Sequence, residues 1–248
     1  MVSNPGFLRK SRHFFYRFKH AIAEARRLED EARVNTARVN SRDESIRKYL
    51  SDNAVRKLQL GSSENVLDGW LCTDLHPPDP RVVFLDASCR FPFEDSTFDY
   101  IYSEHMIEHL PYEQGLAMLK ECNRVLKNRG RIRIATPDLR VVAGLCASEL
   151  NEDQQRYLEW ATREFLPEGR SDRPAFVVNN LFRAWGHQFL YDEPLLRDAL
   201  TDAGFTDIRR CEIQESDVPV LRGIESHGRH IGEDNNRFET FVLEATTP

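Results

Sequence analysis

"LQLGSSENVLDGWLCTDL", residues 58–75, runs from an apolar strand into a turn of small residues and back into a strand that ends in an acid. In an open parallel sheet, ligands bind beyond the carboxyl ends of the strands. Gly61, Ser62 and Ser63 after one strand, and Asp74 at the end of the next, therefore stand where a nucleoside can be held. A small residue lets the backbone approach a ligand closely, and a carboxylate at the second strand's end can accept both hydroxyls of a ribose. Ser63 takes the place of the second glycine in a glycine-x-glycine turn, so its backbone must tolerate a shape that glycine adopts freely.

Further strands are expected on either side of this stretch, at 57–60, 71–74, 82–85, 98–102, 131–136, 207–213 and 238–244. A short helix is expected at 43–51 and another at 151–165. A third follows Pro111, with Leu116, Leu119, Cys122, Val125 and Leu126 on one face, and ends before Gly130. A fourth begins at Asp192 as N-cap and stops at Gly204. Strands alternating with helices point to an α/β sandwich around a mostly parallel sheet. The stretch "LHPPDPR" is too short for an ordinary parallel crossover, which takes a dozen residues or more. The first two crossovers are therefore either trimmed to loops, or one of the three strands is misplaced.

The chain has 248 residues, 40% hydrophobic and 30% charged, enough for one domain with an extension. Its five scattered cysteines form no CxxC pair, which argues against a disulfide framework or structural zinc and for a reducing cytoplasm. The net charge of -6 hides an asymmetry: residues 1–58 carry 14 Lys/Arg against 7 Asp/Glu, and the rest 20 against 33. Nucleic-acid binding rests on a basic surface, and the body does not offer one. We divide the chain into a basic helical extension, 1–54, and a domain, 55–248. Residues 12–33 form an amphipathic pattern in the extension, suited to packing, to oligomer contact or to an anionic membrane surface.

Two more strand ends carry polar groups, Asp86-Ala87 after the third and Ser103-Glu104-His105 after the fourth. Taken in order, "LGSS", "GWLCTDL", "LDASCRFPFEDSTFDYIYSEHMIEHL", "ECNRVLKNRGRIRIATPDL" and "GHQFLYDEPLLRDALTDAGF" resemble the class I S-adenosylmethionine-dependent methyltransferases, in particular a compact type-11-like group. The resemblance spans about residues 55–245. It implies a Rossmann-like α/β sandwich, a mostly parallel seven-stranded sheet with one antiparallel strand, and S-adenosylmethionine as cofactor. It places Gly61 and Ser62 beside the methionine part, Asp74 at the ribose, Asp86 and Ala87 at the adenine, and Ser103 and Glu104 along the cleft. It also implies that the early helices are trimmed. "KNRGR" stands where the family more often has a lysine-proline-glycine-glycine turn.

Glu104, His105, Glu108 and His109 alternate acid and histidine, and the two histidines are four apart. The pattern is not HExxH and shows no third ligand, so no metal is expected. Residues 139–191 form an insertion that can overhang the cleft, with Trp185, His187 and Tyr191 as candidate substrate contacts. Glu215, Ser216, Glu225 and His227, between the last two strands, are candidate lid contacts.

The expected activity is methyl transfer to a small-molecule or glycan-like acceptor, with His105, His187 and Asp138, in that order, as candidates to take the acceptor's proton. An inactive nucleoside- or partner-binding protein of the same fold is the alternative. A nicotinamide enzyme is disfavoured, because GxGxxG is absent and Asp74 follows Gly61 by only 13 residues rather than about 20.

Overall fold

In the computed structural model, which describes residues 41–166 and 173–248, seven strands form one sheet. They are β1 (Lys57–Leu60), β2 (Leu71–Asp74), β3 (Val83–Phe84), β4 (Phe98–Glu104), β5 (Leu126–Pro137), β6 (Thr206–Cys211) and β7 (Thr240–Thr246). The order across the sheet is β3-β2-β1-β4-β5-β7-β6, parallel throughout except that β7 runs antiparallel to both β5 and β6. This is the mostly parallel sheet that the alternating pattern predicts, with the one antiparallel strand that the family resemblance implies. The sheet lies within residues 48–248, one of the two compact units into which the chain divides. The expected helix at 12–33 lies outside the described residues.

The short crossovers are resolved in favour of trimming. No helix occupies 61–70 or 75–82, and all three early strands are in place. Turns replace the helices: Ser62 N–H donates to the Thr73 carbonyl at 2.9 Å, and Leu85 N–H to the Asp74 carbonyl at 3.0 Å. The third strand shrinks to two residues at the sheet edge.

The helices are α1 (residues 41–52), α2 (Tyr112–Val125), α3 (Leu139–Gly144), α4 (Glu152–Phe165), α5 (Pro174–Arg183), α6 (Glu193–Asp202), α7 (Gly228–Ile231) and α8 (Glu233–Glu239). Asp192 caps α6 by accepting from Leu195 N–H, and Gly204 follows it with φ of 92°. Asn151 and Gln154 form a reciprocal capping box on α4. On α2 the buried face is Gly115, Met118, Leu119, Cys122 and Val125. Leu116 sits at its margin, half-buried.

Several boundaries differ from expectation: β4 runs two residues further, to Glu104, β6 ends two residues earlier, at Cys211, and two more differences have a visible cause. Leu126–Gly130 is already strand: α2 runs straight into β5, and Arg129 takes a φ of 58°. The "KNRGR" turn is thus an irregularity inside a strand. Residues 238 and 239 end α8 rather than open β7, because the chain passes from helix to strand at Thr240 with no intervening turn.

Candidate active site

Gly61 leaves β1 with φ of 66°, and a Cβ there would lie 2.3 Å from Met106 Cγ. Both the backbone shape and the lack of room require glycine. Ser63 has φ of 44° and meets the demand that its place in the turn makes of it. Its N–H donates to Asp74 Oδ2 at 3.0 Å, while His76 N–H donates to Oδ1 at 2.8 Å. Asp74 therefore closes the turn across the first two strand ends and keeps lone pairs for further donors. Asp86, after β3, accepts from the Ser88 amide and hydroxyl. Burial works to raise its pKa, but those hydrogen bonds prevail and lower it, so it is a carboxylate. Ala87 follows it at the same end of the sheet.

A cleft opens between Gly61–Asn65 on one side and Glu104, His105, Ser226, His227 and His230 on the other. Ser62 Oγ and Ser103 Oγ, on residues 2% and 0% exposed, have no hydrogen-bond partner among the described residues. Ser103 pairs in register with Leu60, directly before Gly61. Buried hydroxyls are seldom left unpaired. Ser62 lines the cleft and, with the side-chain-free approach at Gly61, fits a polar ligand there, whereas Ser103 lies buried behind its wall.

Glu104 serves a purpose other than lining. Its carboxylate accepts from the amides of Ser226 and His227 and from the Ser226 hydroxyl. That clamp seats the connection between β6 and β7 over the cleft and lays the His227 ring on His105, with centroids 3.7 Å apart and planes at 26°.

His105 leaves β4 with φ of 45°, a strained shape of the kind that gathers at functional sites. Its Nδ1 lies 3.3 Å from Glu108 Oε1 and its Nε2 2.9 Å from Thr240 Oγ1. Burial works to lower its pKa, but Glu108 first, then Glu239 and Glu104, leave it raised. Glu108 is fully buried, yet the opposing attraction of His105 keeps its pKa lowered. Each group thus favours the charged form of the other. Glu108 Oε2 also accepts from Thr136.

Beyond His105 lies a second cavity of about 300 Å³. Five of the eight histidines, 105, 109, 187, 227 and 230, line it, beside Phe165, Leu181 and Trp185. His105, His227 and His230 also border the cleft, so the two spaces share a histidine wall. The insertion reaches this place through its backbone. The amides of Gln188 and Phe189 both donate to the Glu108 carbonyl, at 2.7 and 3.1 Å, and bring His187 to His109 with ring centroids 5.0 Å apart. His187 Nδ1 lies 2.6 Å from the Leu181 carbonyl, which fixes the proton on Nδ1 and the lone pair on Nε2. Burial lowers its pKa, the charge of Glu108 opposing, so it is neutral near pH 7.

Two expectations need correction. Asp138 does not reach the histidine cavity. It caps α3 by accepting from Arg140 N–H and faces a separate cleft with Arg140 and Arg197. Tyr191 is fully buried against Gly115 rather than in contact with a substrate space. Trp185, by contrast, is half exposed and lines the cavity. Among the expected lid contacts, His227 lines both spaces, while Glu225 is buried against Arg133. Sequence reading missed His230, Glu239 and Thr240. Their signal was weak, since each joins the site only through the fold of the last connection.

Residues 47–134 match the model of a family described as a methyltransferase domain. Among curated proteins nothing matches the chain. Solved structures that resemble it include a phosphoethanolamine N-methyltransferase 2 of Haemonchus contortus in complex with phosphomonomethylethanolamine and S-adenosylhomocysteine. That match has 15% identity and a TM-score of 0.42, and covers 78% of this chain and 49% of that one. A SAM-dependent methyltransferase from Archaeoglobus fulgidus matches at 17% identity and TM-score 0.46, over 85% and 94% of the two chains. One from Mesorhizobium loti matches at 15% and 0.45, over 78% and 91%. The present chain spans about half the length of the first. What each of these binds belongs to that protein.

Proposed function

We propose that the protein, whose residues 47–134 match a methyltransferase-domain family, is a class I S-adenosylmethionine-dependent methyltransferase that moves the methyl onto a small-molecule or glycan-like acceptor seated in the histidine-lined cavity. The observation that carries this reading is the shared wall. A donor cleft and an acceptor-sized cavity meet at His105, His227 and His230, so a methyl presented at the carboxyl end of β4 has a short path into the second space.

The cofactor supplies an electrophilic methyl, and the protein's task is to align it with the acceptor and exclude water. Gly61 and Ser62 would hold the methionine part. Asp74 would take the ribose and Asp86 with Ala87 the adenine. Glu104 acts at one remove, by clamping the roof. Of the three proton-taking candidates, only His105 borders both spaces. With Glu108 behind Nδ1 and a hydroxyl already at Nε2, its neutral form has the orientation a proton-accepting histidine needs. His187 lines the acceptor cavity alone. A cytoplasmic setting belongs to the same proposal and is supported by five scattered cysteines, all free. The division at 54/55, with an insertion at 139–191, is likewise kept as part of it.

The test is a screen of hydroxylated small molecules and glycans with methyl-tritiated S-adenosylmethionine. His105→Ala should then cut turnover by about 10²–10⁴-fold, with cofactor affinity little changed. If affinity falls instead and turnover at saturation survives, His105 belongs to the adenosine pocket. Tight cofactor binding with no transfer to any acceptor would favour the inactive binding protein.

A further inference from the structure

Among the described residues, two groups have ligand atoms close enough to hold a cation. One is His105, His227 and Glu239, and the other is Glu108, His109 and His187. The first is already satisfied from within. His105 Nε2 meets Thr240 Oγ1, His227 Nε2 lies 3.2 Å from Glu239 Oε1, and Glu239 Oε2 accepts from Tyr157. That group reads as the network that holds the roof down.

The second group is built differently. One ligand atom from each residue lies within 4.8 Å of the others. Glu108 is 0% exposed, and the one described donor facing its Oε1 is His105 Nδ1, at a long 3.3 Å and outside good hydrogen-bond geometry. A buried carboxylate oxygen left in that state calls for a further partner. The outer partners that metal ligands use are also in place. His187 donates Nδ1–H to the Leu181 carbonyl, which leaves Nε2 to coordinate, and Thr136 donates to Glu108 Oε2. Glu108 and His109 share a 3-10 turn, and the Gln188 and Phe189 amides bond to that turn's first carboxylate residue through its carbonyl. The third ligand is thereby fixed by the backbone rather than by chance contact.

We propose that Glu108, His109 and His187 bind a divalent transition-metal ion, Zn²⁺ being the best match. Two imidazoles and one carboxylate form a three-ligand set that leaves a coordination position open, and imidazole favours zinc-like ions over Mg²⁺ or Ca²⁺. Ligand distances of about 2.0–2.2 Å require the three atoms to draw in by roughly 1 Å, which side-chain torsions supply. His109 and His187 both line the cavity, so the open position faces the space assigned to the acceptor. There the ion would bind an acceptor oxygen and lower the pKa of its hydroxyl. Binding of the ion does not depend on the methyl-transfer reading; only this last role does.

The experiment titrates Zn²⁺, and separately Co²⁺, into the full chain after chelator treatment, by calorimetry and by the visible absorption of Co²⁺. The parent should bind one equivalent. His187→Ala and Glu108→Gln should weaken binding by about 100-fold or more, while His227→Ala, in the other group, keeps it. His187 is half-buried, so its variant remains informative if Glu108→Gln fails to fold by circular dichroism. The proposal is overturned if the parent binds no equivalent, or if His187→Ala binds as tightly as the parent, including the case in which His227→Ala alone removes the site. Cofactor binding is measured on the same samples, so loss of the metal site and loss of the methyltransferase reading are told apart.

Discussion

Ser63 and His105 are the two non-glycine residues at which the ligand cleft departs from ordinary backbone, with φ of 44° and 45°. For Ser63 the need was legible, because the small-residue turn demands a left-handed residue wherever a second glycine is missing. For His105 it was not: a histidine after a strand carries no local sign of the torsion it will take, and the strain is set by Glu108 and Thr240 gripping both ring nitrogens. Replacing Ser63 by glycine relieves the left-handed strain, worth about 1–2 kcal/mol, but restores chain entropy to the unfolded state, worth about 0.4–1 kcal/mol. Ser63→Gly should therefore raise unfolding stability by no more than about 1.5 kcal/mol and leave S-adenosylmethionine affinity intact. A loss of cofactor affinity would mean that the serine side chain, rather than the turn it permits, contacts the ligand.

The strands ending in Leu60 and Asp74, and the helix from Asp192 to Gly204, were readable because their signals are local: apolar runs, a capping acid, a stopping glycine. The pairing of His109 with His187 was not readable, since the fold brings together residues far apart in the chain through two amides on the Glu108 carbonyl. The alternation of Arg131, Ile132, Arg133 and Ile134 likewise suggests a strand with one wet face. Instead Arg133 is fully buried, paired in register with Glu244 and bonded to Glu225. Those bonds tie the last connection, which carries His227, to the sheet. Removing one partner of a buried ion pair costs about 3–5 kcal/mol, because the other charge is left uncompensated. Arg133→Met leaves two carboxylates and should lose at least that much in urea unfolding followed by circular dichroism. A variant within about 0.5 kcal/mol of the parent, the range of an ordinary surface change, would show that the pair does not hold the connection.

Over the whole molecule, charge is divided by sequence: the first 58 residues are net basic and the remainder net acidic. Among the described residues no helix is long and apolar enough to cross a membrane. The cleft beside Gly61, the histidine cavity and the sheet that positions them all lie within residues 48–248. Deleting residues 1–40 should therefore preserve cofactor affinity while changing self-association or attachment to anionic vesicles. A folded truncation that no longer binds the cofactor would contradict that separation.

The central claim is that the turn at Gly61–Ser63 and the acid at Asp74 form the seat of S-adenosylmethionine. Calorimetric titration of S-adenosylmethionine into the full chain and into Asp74→Ala tests it most directly. Loss of a charge-assisted hydrogen bond is worth about 1.5–3 kcal/mol, or roughly one to two decades in affinity. The account predicts one equivalent bound by the parent and about 10- to 100-fold weaker binding by the variant. No binding by the parent, or equal affinity in the two proteins, would contradict it.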